Sequence, residues 1–298
     1  MPANRTVRNL ATASIGIAFL VMGLKFFAWH LTGSVALFSD ALESIVNVLA
    51  ASIAWYAIRV SHRPADDDHP FGHHKAEYFS AVTEGVLIVV AAILIIEEAV
   101  QAFWRGPRVF TEMGLGMSIN LAAAVINGLF ATVLLRVGRA ARSPALVADG
   151  KHIMSDVVTS AGVLAGLLLA LATGWLWLDS VMAILVSLNI LREGWKVISG
   201  SVSGLMDTSI DGQTLEAVRS TIALQATGAL EFHDLKTREA GAARFAEFHL
   251  VVPAAMTVSQ AHDICDRIES ALKKQMPGIS VLIHVEPEQK AKHGGFSL

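Results

Sequence analysis

The sequence has few of the residues on which soluble and disulfide-bonded proteins depend. Only 16% of its 298 residues are charged, against about 25% in an ordinary soluble domain. The single cysteine, Cys265, excludes a disulfide framework and any cysteine-based zinc module. A net charge of −3 indicates no nucleic-acid partner. Apolar residues instead make up 53% of the chain, and the mean hydropathy is +0.53. Most of the chain is therefore suited to a lipid bilayer.

Six apolar stretches are long enough to cross a bilayer as helices, which takes about 20 residues each. They cover residues 10–30, 35–58, 79–100, 113–136, 149–172 and 176–197. The loops on one side of these spans carry seven Lys or Arg residues and those on the other side carry two. By the positive-inside rule, this asymmetry predicts that both termini are cytoplasmic. The sequence therefore predicts an all-α six-helix transmembrane domain over residues 1–206.

The composition changes near Asp207, and the pattern up to residue 288 is that of a small soluble domain. Apolar spacing predicts, in order, a helix, two strands, a second helix and a last strand, at residues 211–222, 230–238, 243–252, 257–275 and 281–283. This order predicts a compact α+β domain. Residues 289–298 are expected to form a disordered tail.

Polar residues within spans two and five are the main anomaly. His152 and Asp156 are four residues apart, so they share one face of span five. Span two contains Asp40, Glu43, Ser44 and Asn47, and Glu43 and Asn47 repeat the same spacing. Ionisable groups inside a membrane cost about 2.5–3.5 kcal/mol each on insertion scales. The two pairs could surround one cation with four ligands that suit Zn²⁺, Fe²⁺, Co²⁺ or Mn²⁺ better than Cu(I). A polar seam between helices is the alternative.

Two further clusters combine imidazole with carboxylate. The loop after span two holds Asp66, Asp67, Asp68, His69, His73 and His74. It could bind metal, or it could be a solvated charged turn. The soluble domain holds His233, His249, His262, His284 and Glu286. These histidines could bind metal, or they could be structural strand residues.

Four long motifs carry a resemblance to a known family. They are TGSVA at 32–36, PADDDHPFGHHKAE at 64–77, ADGKHIMSD at 148–156 and HDLKTREAGAARFAEFHL at 233–250. In these motifs the chain resembles the cation diffusion facilitators, and within them the bacterial iron/zinc-efflux branch. The resemblance implies six membrane helices, a ferredoxin-like, metallochaperone-like cytoplasmic domain and a homodimer. It further implies export of a divalent metal through the bacterial inner membrane in exchange for protons.

The resemblance also implies three sets of metal ligands. The transport site falls on Glu43, Asn47, His152 and Asp156, the loop site on Asp66, His69 and His73, and the cytoplasmic sites on His233, His249, His262, His284 and Glu286. The branch has two aspartates where this chain has Glu43 and Asn47, so the site holds less negative charge. We therefore expect weaker binding or another preferred ion, with Asp40 one turn away as a compensating acid. Glu286 stands where an aspartate is usual.

The favoured function is thus a proton-coupled exporter with a divalent metal, Zn²⁺ first and Fe²⁺, Mn²⁺ or Co²⁺ next, as substrate and regulator. The alternative is a membrane-anchored metal sensor or scaffold that does not transport. An enzyme is not expected, because the chain has no HExxH, no Gly-rich phosphate loop and no GxSxG motif.

Overall fold

A computed structural model describes residues 2–32, 35–105, 114–173, 175, 178–292 and 295–297. The chain divides into two compact units, Met1–Val202 and Ser203–Leu298. Six long helices dominate the first unit: α1 (Pro2–Thr32), α2 (Val35–Ser61), α3 (Ala76–Arg105), α4 (Gly114–Ala141), α5 (Pro144–Thr173) and α6 (Leu178–Leu205). Each contains 27 to 31 residues, more than a bilayer requires.

Each predicted span overlaps one of these six helices, which confirms the predicted helical membrane region. Most of the helices extend beyond the predicted spans at one or both ends. Within the described residues, four stretches are both long and apolar enough to cross a membrane, namely Arg5–Leu31, Ser44–Ser61, Ala76–Gln101 and Leu121–Ala141.

Small residues allow the helices of the first unit to approach closely. Helices α1, α2, α4 and α5 share one buried cluster in which alanines such as Ala11, Ala54 and Ala131 alternate with larger side chains. At the contact of α3 and α6, a Cβ atom on Gly85 would lie 2.7 Å from Ile198 Cγ1. The hydrophobic effect does not drive helices together in lipid. Close van der Waals packing at small residues stabilises their association instead.

The second unit is a sheet with two helices packed on it, as predicted. Its elements are α7 (Gly212–Gln225), β1 (Glu231–Ala240), β2 (Ala243–Val252), α8 (Val258–Gln275), β3 (Ile279–Pro287) and β4 (Phe296–Ser297). The strand order is β3-β2-β1-β4. Strand β1 pairs antiparallel with β2 and β4, and β2 pairs parallel with β3.

The core of this unit lies between the sheet and the two helices. Apolar residues of α8 recur at helical spacing, and Ile264, Ile268 and Leu272 are buried against Phe248 and Ile222. Helix α8 begins with a capping box in which the Thr257 hydroxyl accepts from the Gln260 N–H and the Gln260 side chain accepts from the Thr257 N–H. The cap and the apolar stripe together explain the position of this helix.

The prediction of a disordered tail over 289–298 is wrong for its last described residues. Phe296 and Ser297 pair with Phe232 and Glu231 as a fourth strand, and a short 3-10 helix covers Glu288–Lys290. The tail has too few apolar residues to indicate a strand by itself. The free edge of β1 supplies the backbone partners that order it.

Truncating the centre of the soluble core should destabilise the second unit. Ile268 is fully buried, so we expect Ile268→Ala to lower the free energy of unfolding by about 2–5 kcal/mol. Val258→Ala, at a position 87% exposed on the same helix, is the control and should change it by less than about 0.5 kcal/mol. Both changes in unfolding free energy can be measured from hydrogen exchange of the α8 amides in the detergent-solubilised chain at increasing urea concentration. Equal effects of the two substitutions would contradict this core.

Candidate metal sites

The Asp156 carboxylate lies at the centre of a buried polar cluster contributed by four helices. Its Oδ2 is 3.2 Å from Lys25 Nζ of α1. The same oxygen accepts hydrogen bonds from Asn47 Nδ2 of α2 at 3.3 Å and from Asn127 Nδ2 of α4 at 3.4 Å. The side chains of Lys25 and Asp156 are 3% and 9% exposed. One buried negative charge is therefore balanced by one buried positive charge.

His152 extends this cluster along α5. Its Nε2 lies 2.9 Å from Asn47 Oδ1, and its buried Nδ1 has no hydrogen-bond partner among the described residues. Asn47, His152 and Asp156, three of the four residues predicted for the transport site, thus come together. Glu43 and Asp40 belong to α2, but their side chains lie outside the part of the chain that the structure describes.

Two members of the cluster were not assigned to the site from the sequence. Lys25 is the one charged residue in the apolar part of the first span, so a pairing with an acid was foreseeable but its partner was not. Asn127 is an isolated amide in span four. In both cases a polar residue in an apolar run was the available signal.

Further acids are buried in the first unit. Asp149 Oδ2 accepts a hydrogen bond from Ser14 Oγ at 2.6 Å, and Glu84 Oε1 accepts one from Ser80 Oγ at 3.0 Å. Asp149 is 1% exposed and Glu84 is fully buried. Neither was singled out from the sequence, although each is an acid within an apolar helix.

The loop after α2 brings Asp66, His69 and His73 together. Asp66 Oδ1 is 3.3 Å from His69 Nδ1, and Asp66 Oδ2 is 3.5 Å from His73 Nε2. Gly72, at φ +80°, supplies the turn that brings His73 back toward Asp66. The backbone N–H of His69 donates to Asp66 and is the main cause that lowers the pKa of this carboxyl. Asp66 is therefore ionised at neutral pH and available to a cation.

In the second unit, strand register aligns three of the predicted histidines. His233 of β1 pairs with His249 of β2, which pairs with His284 of β3. Glu286 follows His284 by two residues, so both occupy one face of β3. The Glu286 carboxylate is 3.3 Å from His233 Nε2 and 3.2 Å from His249 Nδ1. Ligand atoms of His233, His249 and Glu286 all lie within 4.8 Å of one another.

Two nitrogen atoms of this group fit a metal. His233 Nε2 and His249 Nδ1 are buried without a hydrogen-bond partner in the described chain, as expected of atoms left free for a cation. His284 Nε2 lies farther from Glu286, at 3.7 Å. His262 is not part of the group in this chain, because it lies on α8 and is 3.7 Å from Asp266 instead.

Glu231 of β1 also contacts this group and was not predicted from the sequence. Its Oε1 lies 2.9 Å from His233 Nδ1 on the side of the ring opposite Glu286. Two residues apart on one strand, Glu231 and His233 share a face of the sheet. That spacing was the signal that could have indicated the contact.

Two family models match this chain. The cation efflux transmembrane domain matches residues 11–206. The cation efflux protein cytoplasmic domain matches residues 210–288. The chain belongs to the cation efflux family.

Relatives support the same assignment along nearly the whole chain. An uncharacterized transporter, sll1263, of Synechocystis sp. is 42% identical over 97% of this chain and 93% of its own length. The cation-efflux pump FieF of Serratia proteamaculans is 31% identical over 95% of this chain and 93% of its own length. The family match supports membrane transport of divalent metal cations as the activity. It also supports dimerisation through the cytoplasmic domain, and it offers no support for an enzyme.

A solved structure similar to the second unit is that of a putative zinc transporter, CzrB, in its zinc form. It is 44% identical and covers 29% of this chain and 99% of its own length, with a TM-score of 0.28.

Removing the buried ammonium should destabilise the metal-free protein. Lys25→Met leaves the Asp156 carboxylate without a counter-charge, so we expect a loss of about 3–5 kcal/mol of stability. Lys196→Met is the matched control, because Lys196 makes an exposed ion pair with Glu193 at 2.6 Å and should contribute at most about 1 kcal/mol. Thermal unfolding in detergent with a chelator measures both. Similar losses in the two variants would argue against the buried pair.

Proposed function

We propose that this protein exports a divalent transition metal from the cytoplasm across the bacterial inner membrane in exchange for protons. Zn²⁺ is the first candidate substrate, followed by Fe²⁺, Mn²⁺ and Co²⁺. The observation that carries the proposal is the buried contact of Asn47, His152 and Asp156 between membrane helices. A carboxylate, an amide and an imidazole form a donor set of intermediate hardness, which suits these ions.

Glu43, Asn47, His152 and Asp156 form the proposed transport site. The spacing of each pair puts both of its side chains on one helical face, and Asn47 and His152 are each 7% exposed. Such burial is costly unless the groups have partners or a function. Because the chain belongs to an efflux family, we attribute the burial of these groups to metal transport.

In the metal-free state of the proposed site, Lys25 is the counter-charge of Asp156. Its ammonium now balances Asp156 Oδ2 at 3.2 Å, so a dication that binds the same oxygen would displace it. An occupied site and a lysine-bound site would then exclude one another. This exchange keeps the Asp156 charge compensated in both states, which limits the cost of burial.

Proton exchange follows from ligand chemistry. Metal ligands must be deprotonated, so protons and metal compete for the same atoms. In alternating access, the site would bind metal from the cytoplasm and lose it to protons outside. Each net charge moved outward against an inside-negative potential costs about 2.3 kcal/mol per 100 mV. The proton gradient would supply that energy.

The cytoplasmic domain is proposed to sense the same metal. The proposed ligands of this metal are His233, His249 and Glu286, with His284 adjacent to them. In each protomer of the proposed homodimer, His262 would lie outside this cluster. Asp66, His69 and His73 would form a separate loop site. Metal bound to the cytoplasmic domain regulates transport only if its affinity differs between the transport states. By the positive-inside rule, this domain and both termini are proposed to be cytoplasmic.

A metal sensor or scaffold that does not transport is the second candidate. The cytoplasmic and loop clusters would serve a sensor equally well. A sensor has no need, however, for a buried ligand set contributed by the membrane helices α2 and α5. This observation favours transport.

Flux in proteoliposomes tests the proposed site. We expect native protein to accumulate Zn²⁺ when a pH gradient is imposed, and a protonophore to stop the accumulation. Asp156→Ala should reduce uptake to that of empty liposomes, because the central carboxylate is lost. Glu97→Gln is the control, since it changes an exposed acid of α3 and should leave uptake unchanged. Undiminished flux in Asp156→Ala would remove the site assignment.

Selectivity is tested at Asn47. Asn47→Asp adds a third carboxylate to the proposed site, next to Asp156, so we expect Zn²⁺ to bind at least about tenfold more tightly, equivalent to ~1.4 kcal/mol. Competition titrations of Zn²⁺ against Mn²⁺ and Co²⁺ measure this change. An unaltered affinity and ion preference would count against Asn47 as a ligand.

A further inference from the structure

The C-terminal tail is anchored on the cytoplasmic domain beside its metal cluster. Strand β4 pairs with Glu231 and Phe232 of β1. The Phe296 ring stacks on Phe232, with centroids 5.1 Å apart and planes at 9°. The guanidinium of Arg219 lies over the Phe296 ring at 5.4 Å. These contacts dock the end of the chain at the strand that carries His233.

The Glu231 carboxylate joins this tail to His233. Its Oε1 accepts the backbone N–H of Lys292 at 2.8 Å and lies 2.9 Å from His233 Nδ1. Glu231 is 8% exposed. A Cβ atom on Gly295 would lie 2.6 Å from the same Oε1. The tail therefore passes so close to this carboxylate that a side chain at Gly295 would require the Glu231 carboxylate or the tail to shift.

The same contact orients His233. An imidazole that donates Nδ1–H to a carboxylate presents its Nε2 lone pair to a metal, and such partners raise ligand basicity. His233 Nε2 faces Glu286 at 3.3 Å and has no hydrogen-bond partner in the described chain. A β-bulge follows directly, with Asp234 at φ +53°. Asp234 forms an ion pair with the Lys292 ammonium.

We propose that Glu231 is a positioning residue of the cytoplasmic metal site and that it couples metal binding to docking of the tail. A cation on Nε2 polarises the imidazole and strengthens the Nδ1–H···Glu231 hydrogen bond. That bond holds the Glu231 carboxylate in the position that accepts the Lys292 N–H and contacts Gly295. Metal therefore tightens the tail on β1, and a docked tail strengthens metal binding by the same factor. The inference rests on the proposed cytoplasmic metal site.

The test uses the full chain in detergent, with Asp66→Ala and Asp156→Ala present so that the other proposed sites do not contribute. Zn²⁺ affinity and hydrogen exchange of the Lys292 and Phe296 amides are measured together. In this background Zn²⁺ should bind and slow both amides. Glu231→Ala should weaken Zn²⁺ binding about 10–100-fold, as loss of such partners does, and abolish the slowing. Glu231→Gln retains an acceptor for Lys292, so it should keep basal docking and lose most of the Zn²⁺ response.

A matched glycine pair separates the tail from the rest of the site. Gly295→Ala forces the tail and the Glu231 carboxylate apart without removing a proposed metal ligand, so exchange at Phe296 should quicken and Zn²⁺ binding should weaken. Gly212→Ala, where a Cβ meets nothing within 4 Å, should change neither. Exchange at Ile268 in α8 verifies that each variant is folded. If Glu231→Ala does not fold, Glu231→Gln and Gly295→Ala decide the question.

The outcomes distinguish the inference from the function on which it rests. Native-like Zn²⁺ affinity in the folded Glu231 variants, or a tail whose exchange ignores Zn²⁺, overturns the role of Glu231 and leaves the metal site standing. No Zn²⁺ binding in the background protein removes the proposed cytoplasmic site, and the coupling with it.

Discussion

The organisation of the first unit depends on one carboxylate buried among membrane helices. Asp156 is compensated by Lys25 and by amide donors from Asn47 and Asn127. A single buried charge without its partner is far costlier than the pair, so α1, α2, α4 and α5 must hold these side chains together. In the proposed transport cycle, a cation that binds Asp156 would have to open this same contact. The proposed transport site and the stabilising contact therefore share the Asp156 carboxylate.

The two kinds of candidate site differ in how their polar atoms are satisfied. In the membrane cluster, Asn47 and Asp156 are already bonded to protein groups, while His152 Nδ1 is buried without a hydrogen-bond partner among the described residues. In the cytoplasmic cluster, His233 Nε2 and His249 Nδ1 remain open and face the Glu286 carboxylate. In the proposed transport site, internal partners would replace the metal once it is released. In the proposed sensing site, the open nitrogen atoms would be available to a metal.

Much of the fold could be predicted because its elements have strong local patterns. The six membrane helices follow from apolar runs, and α8 follows from apolar residues at helical spacing and a capping box. Strand β4 was missed because its order comes from the edge of β1 and from stacking on Phe232. A two-residue strand has no periodicity of its own. The bulge at Asp234 is equally invisible locally, since it reflects register with β2.

By itself the sequence determined which side chains are too costly to leave unpartnered in lipid, and which of them share a helix face four residues apart. It also determined the donor chemistry, and hence the class of ion that the proposed sites would favour. Only the tertiary structure decided that Asp156 meets Lys25, 131 residues away, and that Glu231 joins His233 to the tail. Helix rotation and strand register are set by packing over the whole unit, so contacts between distant segments cannot be read from local spacing.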